Sequence, residues 1–136
     1  MNTPTIDGKY VGELRCMLTH NNSGQQITTD APLDNNGRGE TFSPTDLVAA
    51  ALGSCMLTII GIRAKSKNIN IGEPKISILK IMQSSPRKID VIKIEISFNS
   101  QINLNYRKYL EDEAKKCPVA LSLNDSIQQD ISFKYI

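Results

Sequence analysis

Residues 43–67 read SPTDLVAAALGSCMLTIIGIRAKSK. Ser43 is a good helix N-cap, Pro44 suits the first helical position, and Asp46 stands three residues after the cap. That is a capping box with Asp in place of the usual Glu. From Leu47 to Ile62 no residue is charged. Arg63, Lys65 and Lys67 then put positive charge on the last turns, where the helix dipole favours it. The stretch predicts a helix of roughly 22 to 25 residues. Its middle is apolar on every side, which predicts burial all round rather than one face on a core. Cys55 stands in that middle, just after Gly53 and Ser54.

On the N-terminal side, residues 9–19 (KYVGELRCMLT) read as one strand with imperfect alternation. Val11, Glu13, Arg15 and Met17 share one face, and Leu14, Cys16 and Leu18 the other. The run His20-Asn21-Asn22-Ser23-Gly24 is a turn signal, and residues 25–29 (QQITT) form a returning strand. Residues 30–39 (DAPLDNNGRG) are a loop that delivers Glu40 to the mouth of the central helix. A loop of that length leading to a buried helix is a place for function.

On the C-terminal side, residues 68–74 connect to a hairpin of strands 75–83 and 89–98. Its second strand alternates cleanly, with Ile92, Ile94, Ile96 and Phe98 on one face and Lys93, Glu95 and Ser97 on the other. The first strand slips its alternation at Leu79, which predicts a bulge there. Residues 105–116 read as a second helix capped by Asn103 or Asn105. Its apolar stripe is Tyr106, Tyr109, Leu110 and Ala114, and Glu111 and Lys115 form a charge pair. Pro118 ends that helix and starts a short one, 118–123, with Cys117 at its N-cap. Residues 129–135 (QDISFKY) close the chain as a strand. The pattern is α+β, and the expectation is one domain over residues 1–136. A chain of this size offers few places to bury a helix on all sides, so an intertwined homodimer is expected.

The 16 basic and 14 acidic residues leave a net charge of +2, with no basic run. Nucleic acid and an anionic membrane surface are therefore not expected partners. Tryptophan is absent and aromatics are few, so stacking platforms for single strands are not expected either. Met1-Asn2-Thr3-Pro4 lacks the basic and apolar pattern of a signal peptide. The central apolar run is short and rich in small residues for a membrane span. A cytoplasmic location is expected. The three cysteines form no C-x-x-C pair and His20 is the lone histidine, so no metal site is expected.

A thiol is a nucleophile only as its thiolate. Desolvation alone in an apolar helix is expected to leave Cys55 inert, so a cation must be delivered to it. Arg15, a lone arginine inside a strand, is the candidate, and Glu40 or Asp46 could hold it. Cys117 at an N-cap faces helix N–H groups that favour the thiolate. Cys55 and Cys117 lie 62 positions apart. They suggest a sulfenic acid and disulfide cycle if they meet within about 7 Å between Cα atoms. Plainer roles compete with each of these. Cys55 would also serve as a small buried residue, Cys117 as an ordinary cap, Arg15 as a surface strand residue, and Glu40 and Asp46 as helix-start charges. Alternation points Cys16 away from Arg15, and His20 sits in a solvated turn.

Residues 42–55 (FSPTDLVAAALGSC) resemble the helix of the OsmC/Ohr family, the osmotically inducible and organic-hydroperoxide-resistance proteins. Cys117-Pro118-Val119 matches that family's second cysteine, and Arg15 falls in the strand where the family carries its arginine. The resemblance runs from about Gly8 to the end. It implies an OsmC-like fold, with long central helices wrapped by antiparallel β-sheets in an intertwined homodimer and active sites at the dimer interface. It implies reduction of organic hydroperoxides, and less well of hydrogen peroxide. By it Cys55 is the peroxidatic residue, Cys117 the resolving one and Arg15 the activator. A dithiol such as dihydrolipoamide is the implied reductant, with no metal or prosthetic group. In the founding branches a glutamate follows the helix-opening proline and pairs with the arginine. Here that place is Thr45, so the sequence resembles the broader OsmC-like branch more than either founding branch. Glu40 is the favoured substitute, since Asp46 has a capping role and one residue along a helix turns a side chain by roughly 100°. The alternative implied by the missing glutamate is a non-enzymatic dimer that binds a small molecule or senses redox state in the same pocket.

Overall fold

The computed structural model describes residues 3–136; Met1 and Asn2, half of the stretch read for a signal peptide, lie outside the described residues. The chain divides into two units, Met1–Leu47 and Val48–Ile136.

The first unit is an antiparallel sheet of β1 (Ile6–Gly12), β2 (Arg15–His20) and β3 (Gln26–Asp30), in that spatial order. The single strand expected over residues 9–19 is thus two strands. Glu13 and Leu14 adopt φ of 54° and 63° and make a two-residue turn between them. Positive φ at both positions is the geometry of a hairpin turn whose twist matches its strands. Leu14 meets it without the usual Asn-Gly, helped by its N–H donating to Tyr10 Oη at 3.1 Å. The turn makes Arg15 the first residue of β2 and ends the face it was expected to share with Val11 and Glu13. Residues 31–43 return over one turn of 3-10 helix, Leu33–Asn35. Gly37 is required in this loop, because a Cβ there would lie 1.7 Å from the Ala31 carbonyl oxygen.

Helix α1 runs from Pro44 to Ser66, 23 residues. Its capping box is formed. Asp46 N–H donates to Ser43 Oγ at 3.1 Å, and the Asp46 carboxylate accepts from Ser43 N–H at 2.9 Å. Ala49, Leu52, Gly53, Met56, Ile60 and Ala64 are buried, one stripe at helical spacing. Ala51, Ser54, Thr58 and Ile62 are exposed on another. Within one chain, then, α1 buries one face and not all sides. By length and composition alone α1 could cross a membrane. The core helix of a folded domain passes the same test, and the stripe above is given to a sheet.

That sheet is β4 (Lys75–Gln83), β5 (Lys88–Phe98) and β6 (Gln128–Tyr135), ordered β4-β5-β6. β4 and β5 are the antiparallel hairpin, but β6 runs parallel to β5. The sheet is therefore mixed where antiparallel sheets were expected. The reason is the connection: α2 (Leu104–Ala114) and α3 (Pro118–Ser122) carry the chain back across the sheet before β6 begins. The bulge lies at Ile81/Met82 and not at Leu79, which keeps its partner Lys93 and is exposed on an edge strand. Asn103 caps α2 by accepting from Asn105 N–H at 2.9 Å. The expected Glu111–Lys115 pair is replaced. Glu111 accepts from Tyr135 Oη at 2.6 Å, Lys115 lies over the Phe133 ring, and Lys108 pairs with Asp112 at 2.8 Å.

Ile92, Ile94, Ile96 and Phe98 of β5 are at most 2 % exposed and meet Leu52, Met56 and Ile60 of α1 and Leu110 and Ala114 of α2 in one core. The helix comes close at Gly53, where a Cβ would stand 2.6 Å from Ile78 Cδ1 and 2.8 Å from Ile76 Cδ1. The opposite sheet face is polar, with Lys93–Asp130 and Lys134–Glu95 pairs. Among the described residues every buried apolar side chain belongs to this second unit.

Candidate active site

In the first unit the chemistry is ionic. Arg15 at the start of β2 is the register partner of Asp30 at the end of β3. Their side chains meet edge to edge. Nε donates to Asp30 Oδ1 at 2.7 Å and Nη2 to Oδ2 at 2.8 Å. Such a bidentate pair fixes the plane of the guanidinium as well as its place. The Asp30 side chain has no exposed surface, and the Arg15 side chain is 26 % exposed. A buried carboxylate must be satisfied, and Asp30 takes a third donor, Glu40 N–H, at 3.1 Å. Arg15 holds the Asp30 carboxyl below its ordinary range; burial opposes this and the Glu40 N–H adds to it. In return the hydrogen bond to Asp30 raises the Arg15 pKa above its ordinary value.

Glu40, the favoured carboxylate, does accept from Arg15 Nη2, at 2.9 Å. Its side chain is 63 % exposed, and Arg38 Nη1 stands 3.8 Å from the same oxygen. Arg38 also pairs with Glu13, whose carboxyl that hydrogen bond holds below its ordinary range. Asp46, the other candidate, closes the capping box. Asp30 is the residue the sequence reading missed. It stood at the head of a turn-rich loop, and only the strand register shows that it faces Arg15.

In the second unit the chemistry is that of thiols. Cys55 is half-buried beside the buried stripe of α1, and Cys117 is fully buried as the N-cap of α3. Cys117 Sγ accepts from Ala120 N–H at 3.4 Å. Both cysteines are free thiols, and Cys55 packs against the core cluster that contains Cys117. The sequence reading expected the N-cap to favour the Cys117 thiolate. Instead burial pushes its pKa up, the Ala120 N–H opposes this, and the neighbouring Cys55 pushes it further up. The capping bond is a local effect, and desolvation by the whole core outweighs it. Cys117 therefore holds its proton more tightly than an ordinary thiol.

Cys16 lies on β2 opposite Tyr10 and Thr29, one residue from Arg15 and hence on the other face. His20 ends β2, exposed, with Nδ1 2.6 Å from Ser23 Oγ. Among the described residues no three His, Cys, Asp or Glu side chains gather as for a metal ion.

A half-buried thiol on a central helix and a buried second thiol at one apolar core, with that helix packed against a mixed sheet, define an α+β protein with a candidate two-cysteine site. Solved structures share the fold. A protein from Psychrobacter arcticus 273-4, assigned to the osmotic stress induced and detoxification response, is 41% identical. It superposes with a TM-score of 0.93, over 98% of this chain and 97% of that one. Two distant neighbours show the fold alone. The organic hydroperoxide resistance protein OsmC of Legionella pneumophila has 17% identity, a TM-score of 0.77, and coverage of 98% of this chain and 99% of its own. OhrB of Bacillus subtilis, an organic hydroperoxide resistance protein, has 17% identity, a TM-score of 0.69 and coverage of 98% of both. No curated protein matches. Residues 37–132 match the family model of OsmC-like proteins, and the chain belongs to that family.

Proposed function

We propose that this protein is a thiol-dependent peroxidase that reduces organic hydroperoxides, and hydrogen peroxide less well. The observation that carries the reading is that two free cysteines, 62 positions apart in sequence, come to one apolar core within the second unit. The Cys55 thiolate attacks the distal oxygen of ROOH, the O–O bond breaks, and the alkoxide takes a proton and leaves as ROH. Cys55 is left as a sulfenic acid. Cys117 attacks that sulfur, water leaves, and a Cys55–Cys117 disulfide forms. A dithiol of the dihydrolipoamide kind returns both thiols by exchange. The proton kept on Cys117 suits this order, because Cys55 reacts first and Cys117 second. By the family resemblance, Arg15 is the residue that would supply the positive charge that activates the thiolate and receive the hydroperoxide oxygen. Glu40 and Asp30 hold it.

The working form is a homodimer in a reducing cytoplasm. The exposed Ala51-Ser54-Thr58-Ile62 stripe of α1 and the apolar residues of the first sheet support it; Ile6, Tyr10 and Ile27 are 55 %, 64 % and 46 % exposed. Sedimentation at micromolar concentration tests this, and a monomer there refutes it.

The deciding experiment is stopped-flow oxidation of the reduced protein by cumene hydroperoxide and by hydrogen peroxide, with the products read by mass spectrometry. The expected result is fast loss of two thiols and a Cys55–Cys117 disulfide, with the organic substrate preferred. Cys55→Ser abolishes consumption, and Cys117→Ser stops recycling after one turnover. Thr45, in the place of the founding branches' glutamate, favours a second reading as a redox-sensing or ligand-binding dimer. Oxidation no faster than that of a free thiol, without sustained turnover, would put that reading first.

A further inference from the structure

The three bonds to the Asp30 carboxylate set it apart from Glu40. Asp30 grips the Nε–Nη2 edge of Arg15 with both oxygens at 2.7 and 2.8 Å. It also accepts Glu40 N–H, while its own N–H donates to Phe42 O at 3.0 Å. One residue therefore fixes the guanidinium and closes the base of the loop that brings Glu40. Its side chain is fully buried, so water does not compete for these bonds. Glu40 reaches Arg15 through one oxygen, from a side chain that is 63 % exposed, and Arg38 shares that oxygen. A solvated ion pair is weak and easily exchanged for water. The Nη1 group of Arg15 carries none of these bonds. With the opposite edge clamped, Nη1 is the donor left to a substrate or thiolate.

We propose that Asp30 is the positioning residue for Arg15: it holds the Nε–Nη2 edge and so aims Nη1, while Glu40 is a solvated, exchangeable second partner. The inference rests on the proposed peroxidase reading for its consequence, and on the Arg15–Asp30 geometry for its substance.

The test is a double-mutant cycle on the rate of Cys55 oxidation by cumene hydroperoxide, using full-length reduced protein. Misaiming a charged donor by about an ångström costs on the order of 100-fold in rate, so Asp30→Asn is expected to slow oxidation by about 10- to 100-fold. Arg15→Ala slows it at least as much. On the Arg15→Ala background Asp30→Asn adds no further loss, because its effect passes through the arginine. Glu40→Gln slows oxidation less than Asp30→Asn does. Independent losses for Arg15→Ala and Asp30→Asn, or a larger loss for Glu40→Gln, would overturn the assignment.

A second measurement needs no variant at Asp30. The Arg15 Nε–H is followed by nitrogen-15 NMR in the unaltered protein and in Glu40→Gln. Slow exchange with water in both supports the clamp. Fast exchange in the unaltered protein, or its appearance in Glu40→Gln, overturns it. If the unaltered protein oxidises no faster than a free thiol, the peroxidase reading falls, while Nε–H exchange still decides whether Asp30 holds Arg15.

Discussion

Residues 3–47 and residues 48–136 are built on opposite terms. The second unit has an apolar core around Ile92, Ile94, Ile96 and Leu110, and its reactive groups are thiols set into that core. The first unit has a three-stranded sheet with Ile6, Tyr10 and Ile27 open to solvent, and its buried side chains are Thr29, Asp30 and Ser43. It holds its order through directed bonds: the strand ladder, the Arg15–Asp30 clamp and the ties of loop 31–42. Apolar packing is non-directional and tolerates a sulfur at any nearby angle. A guanidinium that must present one donor needs a fixed plane, which paired hydrogen bonds supply. The division follows the chemistry each unit carries.

The comparison can be broken most forcefully in the second unit. Ile94→Ala removes a side chain that is 1 % exposed. It is expected to lower the free energy of unfolding by about 2–5 kcal/mol, read by urea denaturation. A loss below about 1 kcal/mol would mean the core is looser than its burial shows. At the junction of the units, Ser43→Ala deletes the N-cap bond to Asp46 N–H. It should cost about 1 kcal/mol and lower the thermal midpoint by a few degrees. In the first unit, Ile27→Ala trims a residue that is 46 % exposed. Under the proposed homodimer the loss exceeds the roughly 0.5 kcal/mol expected for a face left in water. A loss within that limit, unchanged on dilution, would show that no second copy covers this face.

Titration sharpens the contrast further, at opposite ends of the pH scale. The Asp30 carboxyl is held down by Arg15, so it favours the folded state fully above the ordinary aspartate value of about 3.9. That contribution fades only as pH falls below this value through the depressed one. The Cys117 thiol is pushed up by burial, so its contribution is full below the ordinary thiol value of about 8.5 and fades as pH rises through the higher one. Asp30→Asn should flatten the acid limb of stability against pH, and Cys117→Ser the alkaline limb. Each variant should leave the other limb unchanged.

The sequence made some of this architecture plain. Ser43, Pro44 and Asp46 mark the start of α1, and the charge-free run to Ile62 marks its length, because capping and hydrophobic burial are local signals. The alternation of β5 and the Cys117-Pro118 start of α3 were legible for the same reason. The hairpin at Glu13–Leu14 was not, since neither residue is a turn former and the fold holds both at positive φ. The direction of β6 has a readable sign as well: helices between two strands imply a crossover and hence a parallel pair. Asp30 and the Cys117 proton were out of reach. Both depend on what a distant segment places beside them, Arg15 across a ladder and Cys55 with the core around it.

The position of the two thiols in the chain has one more consequence. A bond between Cys55 and Cys117 would close a loop holding β4, β5 and α2, most of the second unit. A cross-link over 62 residues removes denatured-state entropy worth about 4 kcal/mol. Under the proposed cycle, resistance to heat would then record redox history. A molecule that has just met its oxidant is stapled and hard to unfold, and one that has met its reductant is soft again.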